Sequence, residues 1–168
     1  GGPAGLYLAL LMKKADPSHQ ITVLERNRPD DTFGFGVVFS DETLGFLEDA
    51  DPESYAAIRA RFRSWREIRT WFRGEWTTST GHGFSALARA TLLDVLQRRA
   101  VELGCSLRFR AEVEDLDRLL DADLVVACDG VNSQVRTRFA DRFGARVEEG
   151  ACRFSWLGTT LPLEAFTF

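Results

Sequence analysis

The chain opens on Gly1-Gly2-Pro3-Ala4-Gly5-Leu6, and glycines at this spacing constrain a fold tightly. Gly2 lets the backbone approach a pyrophosphate, and Gly5 lets a helix pack close to a sheet. The start of that helix offers unpaired N–H groups and a positive dipole end to phosphates. Glycine clusters also make ordinary turns, so the context decides. Leu6 to Lys14 is an apolar helical stretch ending in basic residues, and Asp16-Pro17-Ser18 breaks it. Ile21-Thr22-Val23-Leu24-Glu25 then has the apolar run of a buried parallel strand. Glu25 lies 20 residues after Gly5, the spacing of a carboxylate that binds an adenosine ribose. Helix, break, strand and acid in this order make a dinucleotide site. The plainer alternative is a generic βαβ unit with a solvated Glu25.

A βαβ site needs a strand to deliver the chain to its glycine turn. The pattern puts its first glycine before Gly1, where that strand would lie. At the other end, Ala165-Phe166-Thr167-Phe168 alternates apolar residues without a polar tail. Both ends therefore read as cut.

A second motif follows about a hundred residues later. Asp123-Leu124-Val125-Val126-Ala127-Cys128 reads as a buried strand that ends at Asp129-Gly130, and Val131 to Phe139 as a turn into a helix. In open α/β sheets, ligands gather at the carboxyl ends of strands. An aspartate there can accept hydrogen bonds from ribityl or ribose hydroxyls, or hold a loop near phosphate. Arg136 reads as a structural or surface residue, with contact to a second nucleotide as the alternative.

Between the motifs, Phe33 to Phe39 is apolar with two glycines, as in a strand under close backbone approach. Asp51-Pro52 starts a helix. Arg59 to Arg73 mixes Arg with Phe62, Trp65, Trp71 and Phe72, and reads as an amphipathic helix with its aromatics inward. A pocket for an anionic substrate tail is the alternative. Ser85 to Leu103 is the clearest helix, with Ser85 as cap, Gly104 as stop and a stripe of Leu92, Leu93, Leu96, Ala100 and Leu103. Arg89 in its first turn opposes the helix dipole and calls for an anion, either a cofactor phosphate or an acidic side chain. Leu107 and Phe109 alternate with Arg108 and Arg110 in a strand pattern, and the acidic 112–120 stretch holds a strand or turn. From Ala151 onward, Phe154, Trp156, Leu157 and the final Phe-Thr-Phe suggest strands of a second layer.

Net charge is −4 without a long basic block, which argues against nucleic acid and membrane surfaces as partners. No apolar run approaches the roughly 20 residues of a membrane span. Cys105, Cys128 and Cys152 lack metal-ligand spacing and read as buried, reduced thiols of a cytoplasmic protein. His19 and His82 sit in polar settings without a nucleophile pattern and read as surface residues.

Taken together, Gly-Gly-Pro-Ala-Gly-Leu, Val23-Leu24-Glu25-Arg26, the helix from Arg89 and Ala-Cys-Asp-Gly-Val-Asn-Ser-Gln-Val-Arg resemble the class A flavoprotein monooxygenases. Asp31 to Asp41 and Phe154 to Thr160 resemble the flavin portions of salicylyl-CoA 5-hydroxylases and anthraniloyl-CoA monooxygenases. The tryptophan hydroxylase of violacein synthesis is similar in the same places. The resemblance implies an α/β fold: a Rossmann-like FAD-binding domain of the glutathione-reductase type, truncated at both ends, with the beginning of a β-rich substrate domain. The first would span 1–150, with 40–85 as an inserted helical or substrate-side segment, and the second 151–168. It implies FAD, with its pyrophosphate over Gly2, Pro3, Ala4, Gly5 and Leu6 and its ribose at Glu25. Arg26 and Arg89 match positions near the adenosine and pyrophosphate, and Val113 matches the adenine-contacting backbone. Asp129 and Gly130 match the motif serving FAD and the passing nicotinamide cofactor, and Gly36 and Val37 match the loop near the flavin. NADH or NADPH and O₂ would be co-substrates, and an aromatic ring, carried as a CoA thioester such as salicylyl-CoA, the partner hydroxylated. The implied enzyme needs no general base from these residues, and a lone fragment of it would be inactive. The rivals are a flavin oxidoreductase that does not hydroxylate and a non-catalytic nucleotide-binding remnant.

Overall fold

The computed structural model describes residues 1–153, 155 and 159–168. In chain order the elements are α1 (Pro3–Ala15), β1 (Thr22–Glu25), β2 (Gly36–Ser40), α2 (Asp41–Ala50), α3 (Pro52–Arg59), β3 (Arg63–Phe72), β4 (Glu75–Ala88), α4 (Arg89–Glu102) and β5 (Ser106–Phe109). A 3₁₀ turn (Leu116–Leu119), α5 (Gln134–Arg138), α6 (Ala140–Phe143) and β6 (Phe166–Thr167) follow. They form two units, one of residues 1–31 and 96–155 and another of residues 32–95 and 156–168.

In the first unit, α1 starts where the sequence pattern puts it. Pro3 at its first turn costs nothing, because that position has no intrahelical N–H bond to lose. Lys13 and Lys14 complement the dipole at its end. Leu6, Ala9 and Leu10, spaced three and four apart, are buried. β1 and β5 pair in parallel, from Thr22 opposite Ser106 to Glu25 opposite Phe109. β1 is half-buried rather than buried as expected, because β5 is its sole ladder partner among the described residues. Gly104, at φ +93°, closes α4. Its N–H donates to the Val101 carbonyl and that of Cys105 to the Ala100 carbonyl, a Schellman ending that turns the chain into β5.

The expected buried strand over 123–128 does not form. Leu124, Val125 and Val126 are 63%, 41% and 48% exposed, and the segment joins no ladder among the described residues. An apolar run becomes a buried parallel strand only when strands flank it and layers cover it; here neither does.

The second unit is built on a sheet ordered β2-β4-β3-β6. β2 and β3 both lie antiparallel to β4, and β6 runs parallel to β3. The expected helix over 59–73 is thus wrong. α3 ends at Arg59 and β3 begins at Arg63. The aromatics pair across the hairpin instead, Trp71 opposite Trp76 with ring centroids 5.1 Å apart. Arg73 and Gly74, at φ +51° and +92°, form the two-residue turn that suits a twisted hairpin. Ser85 does not cap a helix either. It lies in β4, buried, and its hydroxyl bonds that of Ser64 at 2.8 Å. β4 runs on to Ala88, so α4 starts at Arg89. Leu92, Leu93, Leu96 and Ala100 are buried as the stripe predicts, while Leu103 is half-buried. Asp51 caps α3 as expected, its carboxylate accepting from Ser54 N–H at 3.1 Å.

Phe166–Thr167 is the strand expected at the end of the chain. The other expected strand residues there, Phe154, Trp156 and Leu157, lie outside the described residues.

Candidate functional site

In the first unit, α1 begins with an unusual end. Gly2 occupies the N-cap position, no side chain caps the helix, and its first turn carries no acid. The Leu6 N–H closes on the Gly2 carbonyl at 3.0 Å. The N–H groups of Ala4 and Gly5 precede the first intrahelical bond, so they remain for an outside acceptor. Nothing lies within 4 Å of the point where a β-carbon on Gly2 would project, so the approach is open. An uncapped, acid-free N-terminus with an open glycine is suited to an anion.

Glu25 closes one side of this loop. A β-carbon on Gly1 would collide with the Glu25 Cβ, Cγ and Oε2, so only glycine fits against this carboxylate. The Gly1 amine lies 3.3 Å from Glu25 Oε2. Burial alone would raise the Glu25 carboxyl. The Asn27 backbone N–H and the Asn27 side chain, both donating to Oε1, act against it, and the group lies below its ordinary value. The Glu25 carbonyl accepts from Ala111 N–H at 2.9 Å, which ties the start of the 111–113 stretch to the end of β1. Val113 is half-buried two residues on, and Arg26 is exposed.

Gly5 faces the second motif. A β-carbon there would stand 3.3 Å from the Cys128 Cβ. Asp129 therefore follows directly on a residue packed against the glycine loop. Its carboxylate is turned onto the chain: Oδ2 accepts from Gln134 N–H at 2.8 Å and Val135 N–H at 3.5 Å. Burial raises this carboxyl, but Ser133 and these backbone donors outweigh that and hold it low. Asp129 thus fastens the 129–135 loop, and Gly130 takes the left-handed φ of +81° that the turn needs. Arg136 also serves this loop, donating to the Val131 carbonyl. In the first unit, Glu25 and Cys128 thus flank the glycine loop at the start of α1, with Asp129 next in the chain after Cys128.

Gly36, Val37 and Arg89 belong to the second unit. Gly36 pairs with Ala88 and Val37 with Leu87, and the Arg89 N–H donates to the Phe35 carbonyl at 3.0 Å. Arg89 Nε is buried and without a hydrogen-bond partner among the described residues. A buried guanidinium nitrogen left unpaired is costly, and an anionic oxygen is the group that would satisfy it.

Other expectations divide. Both His19 and His82 are exposed, as the sequence implies. Of the three cysteines only Cys105 is buried; Cys128 is half-buried and Cys152 exposed, because each stands on a segment outside the ladders. Gly81-His82-Gly83 escaped the sequence reading as a structural feature. Its signal was two glycines one residue apart inside a strand pattern, which marks a bulge.

No family model matches the chain. A salicyloyl-CoA 5-hydroxylase of a Streptomyces species is 48% identical over 99% of this chain and 32% of its own length. A 3-hydroxy-4-methyl-anthranilyl-[aryl-carrier protein] 5-monooxygenase of Streptosporangium sibiricum is 33% identical over all of this chain and 47% of its own. The chain thus spans 32% to 47% of the length of these curated relatives. Among solved structures, P. aeruginosa PqsL in complex with 2-aminobenzoylacetate matches with a TM-score of 0.69 at 19% identity, over 90% of this chain and 46% of that one. That likeness carries the mixed α/β fold alone. On its sequence, the chain is a homologue of the FAD-dependent monooxygenases, salicyloyl-CoA 5-hydroxylase among them.

Proposed function

We propose that the chain is the flavin-binding portion of a cytoplasmic monooxygenase that hydroxylates an aromatic ring carried as a thioester, using NADH or NADPH and O₂. The observation that carries this reading is the uncapped start of α1, pressed between Glu25 and Cys128, in a chain 48% identical to a salicyloyl-CoA 5-hydroxylase. The residues present fit FAD. The open Gly2 and the free N–H groups of Ala4 and Gly5 suit its pyrophosphate, and Glu25 suits ribose hydroxyls. Arg89, with its unpaired buried nitrogen, suits a phosphate oxygen. Arg26, Val113, Gly36, Val37 and Gly130 enter by resemblance. Asp129 contributes by fastening the loop beside α1.

In finer terms, the reading is a Rossmann-like domain over 1–150 with 40–85 as its substrate-side insertion, and 151–168 as the start of the substrate sheet.

Bound FAD would supply the redox chemistry that inserts one oxygen atom into the ring. The chain's own part is to bind and orient it. Backbone N–H groups and the helix dipole neutralise the pyrophosphate, and Glu25 fixes the ribose.

The test uses the full-length protein loaded with FAD. NADH and NADPH oxidation and product mass are followed with salicylyl-CoA, anthraniloyl-CoA, free salicylate and tryptophan. Faster oxidation with one CoA ester, and a product heavier by one oxygen atom, is the expected result. Oxidation without oxygen incorporation would leave an oxidoreductase, and no flavin binding would overturn the reading.

A further inference from the structure

The pairing of β4 with β3 is interrupted midway. Trp65 of β3 faces Phe84, but Glu67 faces Thr80. Three residues of β4, Gly81, His82 and Gly83, therefore stand against Arg66 alone. Extra residues in one strand break the ladder locally and re-aim a side chain, and such bulges concentrate beside binding sites. The two glycines serve the bulge differently. Gly81 holds a left-handed φ of +85°. A β-carbon on Gly83 would collide with the Asp41 carboxylate. Two glycines thus serve to turn out one histidine.

His82 is exposed, and its ring is held by a hydrogen bond between Nε2 and the Ser79 hydroxyl at 2.8 Å. The bulge adjoins an aromatic cluster. Phe84 stacks on Phe166 with centroids 4.9 Å apart, and Trp65 lies 5.8 Å from the same ring. A polar ring hydrogen-bonded to Ser79, two residues along the strand from half-buried Phe84, suits an aromatic ligand bearing a hydrogen-bonding substituent.

We propose that His82, presented by the Gly81–Gly83 bulge and with Nε2–H donating to the Ser79 hydroxyl, accepts at Nδ1 a hydrogen bond from the hydroxyl or amino substituent of the aromatic ring to be hydroxylated. This rests on the monooxygenase reading and deepens it by assigning the residue that recognises the substituent. Such a bond draws the substituent's proton toward the imidazole and raises electron density in the ring, which favours attack by an electrophilic oxygen.

The test measures binding rather than turnover. FAD-loaded full-length protein is titrated with salicylyl-CoA and with benzoyl-CoA, the same thioester without the ring hydroxyl, following the flavin absorption spectrum. His82→Ala should weaken salicylyl-CoA by about tenfold, the loss of one hydrogen bond, and leave benzoyl-CoA unchanged. Ser79→Ala should give a smaller loss with the same selectivity, and it carries the test if His82→Ala loses FAD. Equal effects on both esters, or none on either, overturn the assignment. If neither ester perturbs the wild-type flavin, the monooxygenase reading itself fails and this inference falls with it.

Discussion

Gly5 and Cys128 meet closely: a β-carbon on Gly5 would stand 3.3 Å from the Cys128 Cβ. This contact joins the first turn of α1 to the residue before Asp129. It makes the two motifs one local structure rather than two signals.

Substitution at Gly5 should therefore separate stability from binding. Alanine gains up to about 1 kcal/mol of helix propensity over glycine. Cys128 follows the exposed 124–127 segment and can give by the few tenths of an ångström required. Thermal unfolding of Gly5→Ala should move little, while FAD affinity falls because the loop before Asp129 is displaced. Gly5→Val should lower both. A Gly5→Ala protein with unchanged FAD affinity would show that this contact does not shape the site.

Asp51 links the end of α2 to the start of α3. Its N–H donates to the Leu47 carbonyl, and its carboxylate accepts from Ser54 N–H. It is fully buried. Asp51→Ala should cost about 1–2 kcal/mol, the value of a good N-cap, and Asp51→Asn should recover most of it. Denaturant unfolding of the two variants checks the difference.

Stability should fall at acid pH. Glu25 and Asp129 are both held below their ordinary values of 4.5 and 3.8. A carboxylate depressed in the folded state adds stability that is fully present above its ordinary value. That stability is lost as pH falls through the folded value. The unfolding midpoint should thus hold steady from neutral pH down to the carboxylate range and drop below it. Glu25→Gln and Asp129→Asn should each flatten the drop.

Thiol reactivity should rank by environment. Burial pushes the Cys105 thiol up, with Lys13 offsetting part of it, and its Sγ lies 3.6 Å from the Ala9 carbonyl. Exposed Cys152 should alkylate first, half-buried Cys128 next and Cys105 last. Iodoacetamide labelling followed by peptide mass analysis reads the order directly.

The elements legible in the sequence are those specified by neighbouring residues. Pro3 and the two lysines delimit α1, Asp51-Pro52 starts α3, and Gly104 stops α4. The alternation of Leu107 and Phe109 fixes β5. What failed depended on distant partners. Arg59 to Arg73 satisfies a helix pattern as well as a strand pattern, and only pairing with 75–88 decides between them. Its turn gave little warning, because Arg-Gly is a less familiar two-residue turn than Asn-Gly. Ser85 looked like a cap because the residues after it are helical, but β4 holds it in a ladder until Ala88. The 124–128 run has strand composition without strand neighbours among the described residues. At the candidate site, spacing alone pointed to Glu25 as the companion of the glycine loop, and the two do pack together. The role of Asp129 as a fastener, and the bulge around His82, were not readable, since both depend on hydrogen bonds and registers that spacing does not encode.

The reversal at Gly104 has a consequence for the strand it feeds. β5 alternates Leu107 and Phe109, half-buried, with Arg108, exposed. A strand has a phase of two residues, so adding or removing one residue at the reversal would exchange the two sets wholesale. The left-handed step at Gly104 thus sets parity: it determines which side of β5 is oily and which is charged. A one-residue insertion there should disrupt the first unit more than a two-residue insertion, although the longer one adds more chain.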